Sequence, residues 1–450
     1  MTDAAHDRAV TEHDRPVTEH DRSVTESDCI IAGGGPAGVV AGLLLARGGV
    51  RVTVLEKHND FFRDFRGDTI HPSTLRLLDE LGLYNRFARI THRRVTNISL
   101  TADDGSDYIL GDLSKLNVAH PFMTIAPQWD FLNLLAEAGE DEPGFDLRMG
   151  VEMTSLIWDD DRVIGVRAQT PEGETELRAP LVVAADGRWS KARDEARLTM
   201  RELRSTIDVW WFRIDTEAEL PDSIAPRTSG GNVFVAIPRD GHVQMARLIP
   251  KGEDSRFRAQ GIESLRKAVA ETFPALADDL GALEFGDVKL LDVRRNQAKR
   301  WFVDGLLCIG DSVHAMSPLG GVGVNLAVQD GVATARLLAD ALRSGRVSAH
   351  DLRRVQRRRM LTTKAVELLQ GGIHRMIEPV VHGGGVIRPP RPVLWLVTTF
   401  PALNVIPARI LGLGITPEHA PGFARRAEWE ASEEDDASEG VGRAQARSRT

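Results

Sequence analysis

Cys29-Ile30-Ile31-Ala32-Gly33-Gly34-Gly35-Pro36-Ala37-Gly38 passes from an apolar run through three glycines into a helical pattern reaching Arg47, and a second apolar run follows at Val52 to Leu55. Strand, tight turn, helix and strand in that order predict the start of a parallel βαβ unit. Glycines 33, 35 and 38 satisfy G-x-G-x-x-G. In this context Gly33 permits the tight turn, Gly35 lets the backbone approach a pyrophosphate, and Gly38 lets helix and strand pack closely. Pro36 and Ala37 open the helix, whose N-terminus would face the phosphates. Glu56 stands 18 residues past Gly38 at the end of the second strand, with Lys57 beside it, where an acid bonds ribose hydroxyls. The pattern predicts a dinucleotide site. NAD and FAD share the ADP half, so the motif does not choose between them.

A second stretch lies far downstream: Leu306-Leu307-Cys308-Ile309-Gly310-Asp311-Ser312-Val313-His314-Ala315-Met316-Ser317-Pro318-Leu319-Gly320-Gly321-Val322-Gly323-Val324-Asn325. An apolar strand ends in Gly310-Asp311, a loop rich in proline and glycine follows, and a helix is predicted to start between Val322 and Asn325. The Asp311 carboxylate sits where a buried strand emerges, placed to accept hydrogen bonds from sugar-like hydroxyls. Gly321 and Gly323 let backbone N–H groups approach a flat ligand, and the helix start favours an anion there. Between these two motifs, Leu181-Val182-Val183-Ala184-Ala185-Asp186-Gly187 is a third buried strand closed by Asp-Gly, followed by a helix that carries Ser190 and Arg193.

Taken in this order and at these distances, the three motifs resemble the class A flavoprotein monooxygenases, the para-hydroxybenzoate hydroxylase type, over about Asp28 to Gly414. The resemblance implies an α/β fold: a Rossmann-like FAD-binding domain interrupted by a β-rich substrate domain, with C-terminal helices. It implies FAD as cofactor, NAD(P)H as a transient co-substrate and O2 as oxygen donor, with hydroxylation of an aromatic or polycyclic small molecule through a flavin C4a-hydroperoxide. The same motifs would serve an FAD-dependent dehydrogenase or reductase, or a non-catalytic carrier of the same fold. The resemblance further assigns Arg66, before a leucine-rich helix, to the pyrophosphate side of FAD, and Gln128, at a helix start, to the ribose and phosphate region. Pro318 matches a loop proline near the substrate and the flavin ring, and Val324 and Asn325 fall at the helix start behind that ring. Val322 departs from the family, where many relatives carry Gln or Lys.

The chain alternates along Val209-Trp210-Trp211-Phe212-Arg213-Ile214. Trp210, Phe212 and Ile214 share one apolar face, Trp211 and Arg213 the other. We assign the first face to core and the second to the substrate pocket, although periodicity alone does not orient a sheet. The only tyrosines are Tyr84 and Tyr108, outside this module, so a paired-tyrosine relay is not expected. His242 and His314 are the alternatives for proton transfer, His314 with the stronger structural reading.

Length and composition set the frame. At 450 residues, two domains plus appendages are expected. A net charge of −9 without a long basic block gives no footprint for nucleic acid. Two cysteines, Cys29 and Cys308, lie inside apolar strands and read as buried thiols of a reducing compartment. With no signal-peptide pattern and no long apolar span, a cytoplasmic protein is expected, membrane contact is not, and no metal is called for. The expected division is a repeat-bearing disordered tail at 1–26, FAD-binding segments at 27–205 and 290–345, the β-rich substrate domain at 206–289, a helical segment at 346–423 and a second disordered tail at 424–450.

Overall fold

The computed structural model describes residues 25–62, 69–101, 107–218, 226–239, 241–383, 395 and 399–427. Arg66 and most of both tails lie outside the described residues.

The central sheet has six strands in the order Phe302–Val303, Leu306–Cys308, Val182–Ala184, Cys29–Ala32, Val52–Glu56 and Phe145–Met149. All neighbours pair in parallel except the edge strand Phe302–Val303. Its middle strands are buried along their whole length, as expected where helices cover both faces of a parallel sheet and the sequence reads as unbroken apolar runs. The helices Pro36–Arg47 and Val322–Arg343 pack together closely: a Cβ at Gly331 would meet the Ala37 carbonyl oxygen at 2.7 Å. This order makes the strands that precede the three motifs immediate neighbours. The three motif turns therefore leave the same edge of the sheet, at the carboxyl ends of adjacent strands, where open α/β sheets bind ligands.

Two strands, Met200–Leu203 and Arg295–Ala298, pair antiparallel and lead to and from the β-rich module. That module is an antiparallel sheet ordered Pro226–Ser229, Asn232–Arg239, His242–Pro250, Ile207–Asp215 and Lys289–Leu291. One face carries Trp210, Phe212 and Ile214 into a core closed by the helix Ile262–Thr272 and the turn Pro274–Ala282. The face assigned to core from alternation is the one buried there. The other face brings Val209, Ala246, Leu248 and Val293 against Ile377 and Val380 of the long helix Ala349–Gly383, with Trp211, Val235 and Leu319 packed at the margin.

Three expectations are corrected at boundaries. Thr25–Glu26 pair in parallel with the strand Gly173–Arg178, so the tail ends earlier than residue 26. The last strand of the β-rich sheet, Lys289–Leu291, runs past the expected limit at 289. At the other end Ala424 is fully buried and Arg426 donates from its backbone to the Glu80 carbonyl and from its side chain to Glu142, so ordered packing continues through residue 427. Few residues are involved, and the docking arginines find acidic partners on elements far away in sequence. No helix among the described residues is long and apolar enough to cross a membrane.

Candidate active site

The glycine turn is built by steric exclusion. Gly33 has φ of +111°, and a Cβ there would meet the Ala185 carbonyl oxygen at 2.3 Å; one at Gly38 would meet the Gly33 carbonyl oxygen at 1.9 Å. Gly35 differs, because a Cβ there meets no protein atom within 4 Å. The helix Pro36–Arg47 begins directly after it with no side chain capping its N-terminus, leaving first-turn N–H groups for an incoming acceptor. Glu56 is buried, and its carboxylate accepts the Gly34 N–H at 3.1 Å and the His58 N–H at 3.1 Å. It therefore also fixes the turn from within. Lys57 is exposed beside it.

Asp186 lies at the next strand end. Its Oδ2 accepts the Ala192 N–H at 3.2 Å, while Oδ1 is buried and has no protein partner. Burial pushes its carboxyl above the ordinary carboxylate value against the opposing hydrogen bonds of Ser190 and Ala192. Gly187 follows with φ of +80°. Ser190 caps the short helix Lys191–Glu195, and Arg193 reaches across to the Ser312 carbonyl at 3.1 Å, joining the second motif to the third. There, Ser312 Oγ donates to the Ala184 or the Ile309 carbonyl, at 2.9 and 2.7 Å. Asp311 is partly exposed, 3.6 Å from the Arg188 guanidinium.

Beyond Gly310-Asp311 the chain runs through Pro318 to Gly321, whose left-handed φ of +60° starts the helix Val322–Arg343, again without a side-chain cap. The helix thus begins one residue ahead of Gly323. The Asn325 side chain is buried and fully engaged, accepting from the His71 N–H and the Thr74 hydroxyl and donating to the Thr69 and Gly321 carbonyls. Asn325 and Val324 sit in the first turn, Asn325 as a tie between this helix and the segment Thr69–Thr74. Gln128 is the first residue of the helix Gln128–Glu140, as expected.

Trp211 and Arg213 share a strand face but part ways. Trp211 is partly buried against the same apolar cluster that Leu319 joins, and its indole N–H is buried without a partner. Arg213 is half exposed and paired with Asp215 at 2.5 Å, because it lies toward the strand end and a neighbouring carboxylate holds it in solvent. The structure places Trp211 in the apolar cluster that Leu319 also joins and leaves Arg213 on the surface, a correction to their common assignment. His242 begins the adjoining strand, opposite Asp215.

Sequence reasoning missed a buried ionic cluster behind the loop. His314 Nε2 lies 2.5 Å from Asp330 Oδ2, Arg359 Nε donates to Asp330 Oδ1 at 2.8 Å, and Glu418 lies 3.6 Å from Arg359. Burial pushes the His314 imidazolium down, but the Asp330 carboxylate more than offsets it, so its pKa is raised; burial likewise opposes ionisation of Asp330, and His314 and Arg359 together hold its pKa low. A lone Asp within the apolar run Leu326 to Ala335 was the signal available. His71, also missed, is fully buried with Nδ1 donating to the Leu411 carbonyl at 2.7 Å and Nε2 unpartnered.

Residues 26–368, which carry these three strand ends and two uncapped helix starts, match a family model described as FAD binding domain. The chain belongs to that family. It is 31% identical over 386 residues to 6-methylpretetramide 4-monooxygenase of Streptomyces rimosus, spanning 85% of this chain and 91% of that one. It is 26% identical over 346 residues to protoasukamycin 4-monooxygenase of Streptomyces nodosus subsp. asukaensis, spanning 73% and 84%. Among solved structures, the anhydrotetracycline hydroxylase OxyS of Streptomyces rimosus superposes with a TM-score of 0.70 at 23% identity, covering 88% of this chain and 78% of that one, a likeness of fold. The flavoprotein is a class A FAD-dependent monooxygenase that draws on NAD(P)H, as the motif order had led us to expect.

Proposed function

We propose that this flavoprotein monooxygenase holds FAD along the shared strand edge and hydroxylates a planar polycyclic aromatic beside Pro318, with O2 as oxygen donor. The residues fit the cofactor. Gly35 leaves open space at an uncapped helix start, which suits a pyrophosphate, and Asp186 offers a buried oxygen lacking any protein partner. In this reading Gly33, Gly35, Pro36, Ala37 and Gly38 cradle the phosphates, Glu56 and Lys57 border the adenosine ribose, and Arg66 and Gln128 complete the phosphate side. Asp186, Gly187, Gly310 and Asp311 receive the ribityl and pyrophosphate region. Gly321, Gly323, Val324 and Asn325 border the ring. When bound, FAD supplies the two-electron chemistry that couples NAD(P)H oxidation to oxygen transfer.

The protein's own contribution is positional and electrostatic. The start of the Val322–Arg343 helix presents N–H groups where negative charge gathers on a reduced ring. Asp330, holding the Gly310 N–H at 3.0 Å, fixes the third motif against that helix. The apolar sheet face keeps water from the reacting atoms.

One observation carries the substrate class: Leu319, next to Pro318, packs in a single apolar cluster with Trp211 and Val235 of the β-rich sheet. A flat aromatic would be received there between loop and sheet, with the Trp211 N–H free for a polar edge. The name of one relative, 6-methylpretetramide 4-monooxygenase, supports the same choice. A cytoplasmic location belongs to this reading and is supported by two buried free thiols, Cys29 and Cys308. The test is NAD(P)H consumption by the purified, FAD-loaded protein offered fused-ring polyphenols and single-ring phenols. Acceleration by the fused-ring set alone is expected; equal response to single rings would overturn the substrate class.

A further inference from the structure

Behind the Pro318 loop, on the far side of the long helix Ala349–Gly383 from the sheet cluster, lies a cavity of about 320 Å³. Its walls come from the connecting strands and that helix, and four arginines, Arg201, Arg204, Arg295 and Arg375, face two carboxylates, Glu367 and Glu378. The carboxylates do not neutralise the set. Glu378 is taken by Arg204 at 2.7 Å. Arg201 and Arg375 are exposed at the mouth and make no ion pair among the described residues.

Two side-chain nitrogens of the cavity lining are buried and unsatisfied. Arg295 is 6% exposed; its terminal nitrogens donate to the Arg204 and Glu367 carbonyls at 2.9 and 3.1 Å, but its Nε–H has no acceptor. His374 is 3% exposed and lies 2.9 Å through Nε2 from Ser317 Oγ. Ser317 Oγ also accepts the Leu319 N–H at 3.4 Å. The His374 Nδ1 is buried without a partner. Burial and the neighbouring Arg295 push the imidazole down to about 4, which keeps it neutral. Buried polar groups left without partners are costly and uncommon in folded proteins. Here two of them share a cavity with surplus positive charge, and an anionic oxygen supplies the acceptor that the Arg295 Nε–H lacks and that His374 would also meet in its Nδ1–H tautomer.

We propose that this cavity is a binding site for a small anion, a carboxylate or phosphate group, held by Arg201, Arg295 and Arg375 with His374 at its floor. The site is separate from the strand edge assigned to FAD and from the sheet cluster that receives the aromatic, and it does not rest on either assignment. It lies one side chain from Ser317, so the ligand meets the loop that carries Pro318 from behind.

The FAD-loaded full-length protein is titrated calorimetrically with inorganic phosphate and, separately, with succinate. The two arms distinguish the phosphate from the carboxylate source. Saturable uptake of at least one of them at a single site is expected. Arg201→Ala combined with Arg375→Ala should weaken it by about tenfold or more, each lost guanidinium being a charge-assisted donor, while leaving FAD content and near-ultraviolet dichroism unchanged. Arg357→Ala, an exposed arginine of the same helix outside the cavity, should bind as the parent does. In the parent, saturation should also move the side-chain nitrogen resonances of His374. Absence of saturable uptake of either anion, or uptake unaltered in the double variant, would overturn the proposal.

Discussion

The Asp330 carboxylate accepts the Gly310 backbone N–H at 3.0 Å although twenty residues separate them, and the same oxygen lies 2.5 Å from His314 Nε2. The Gly-Asp turn is thereby clamped onto the helix that follows it. Arg359, as fully buried as Asp330, closes the other carboxylate oxygen at 2.8 Å. A charge removed from such a cluster leaves its partners buried without compensation, which usually costs about 3–5 kcal/mol.

Asp330→Asn should therefore lower unfolding free energy by roughly 3 kcal/mol or more. Urea denaturation of the FAD-free protein measures this without the contribution of the cofactor. A loss below about 1 kcal/mol would mean that the cluster is not a significant anchor.

The same cluster dictates a pH response. The raised pKa of His314 makes its contribution complete below the ordinary imidazole value of about 6.5 and lost as pH climbs through the folded value. The lowered pKa of Asp330 makes its contribution complete above the ordinary carboxylate value of about 3.9 and lost as pH falls through the folded value. The stability difference between the parent and Asp330→Asn should be largest between those two values and shrink on either side. Denaturation curves across the pH range give the difference directly, and a flat one contradicts the assignment.

The glycine turn separates folding from binding. Gly38→Ala drives a Cβ into the Gly33 carbonyl at 1.9 Å, so loss of soluble, folded protein is expected. Gly35→Val meets no protein atom at its Cβ, so normal far-ultraviolet dichroism with little bound flavin is expected. Equal flavin content in Gly35→Val and parent would remove the phosphate role from this residue.

Asp311→Ala should reduce FAD retention by roughly tenfold or more, a loss of about 1.5–3 kcal/mol for a hydrogen bond to a charged group. Flavin absorbance relative to protein after dialysis reports it. Asp311 pairs only distantly with Arg188, so the fold should survive the change.

Trp211→Ala and Arg213→Ala should behave differently. Trp211 shares an apolar cluster with Leu319 and carries an unpartnered N–H, so its loss should raise the apparent KM for the aromatic by roughly tenfold. Arg213 is paired with Asp215 in solvent, and its loss should leave KM within about twofold. Steady-state kinetics on one fused-ring substrate compares the two.

The nucleotide side of this fold was readable because its constraints are local. Gly33, Asp186-Gly187 and Gly310-Asp311 each sit at a strand end, and the apolar runs before them pair as expected. The sheet face carrying Trp210 and Phe212 was legible from alternation, but Arg213 was misplaced because nothing in the pattern reports that Asp215 holds it outward. The clamp at Asp330 was hidden for another reason. Gly310 and His314 come from the turn and loop after the strand and Arg359 from the helix Ala349–Gly383, and only tertiary packing brings them onto Asp330. The pairing of Thr25–Glu26 and the docking of Ala424 likewise depend on surfaces formed elsewhere in the chain.

Turnover of a fused-ring aromatic by the FAD-loaded protein with NAD(P)H under isotopically labelled O2, read by mass spectrometry of the product, tests the central claim most directly. One labelled oxygen atom in the product, with NAD(P)H consumed in step, is the predicted result. NAD(P)H oxidation that yields an unlabelled product, or hydrogen peroxide alone, would contradict it.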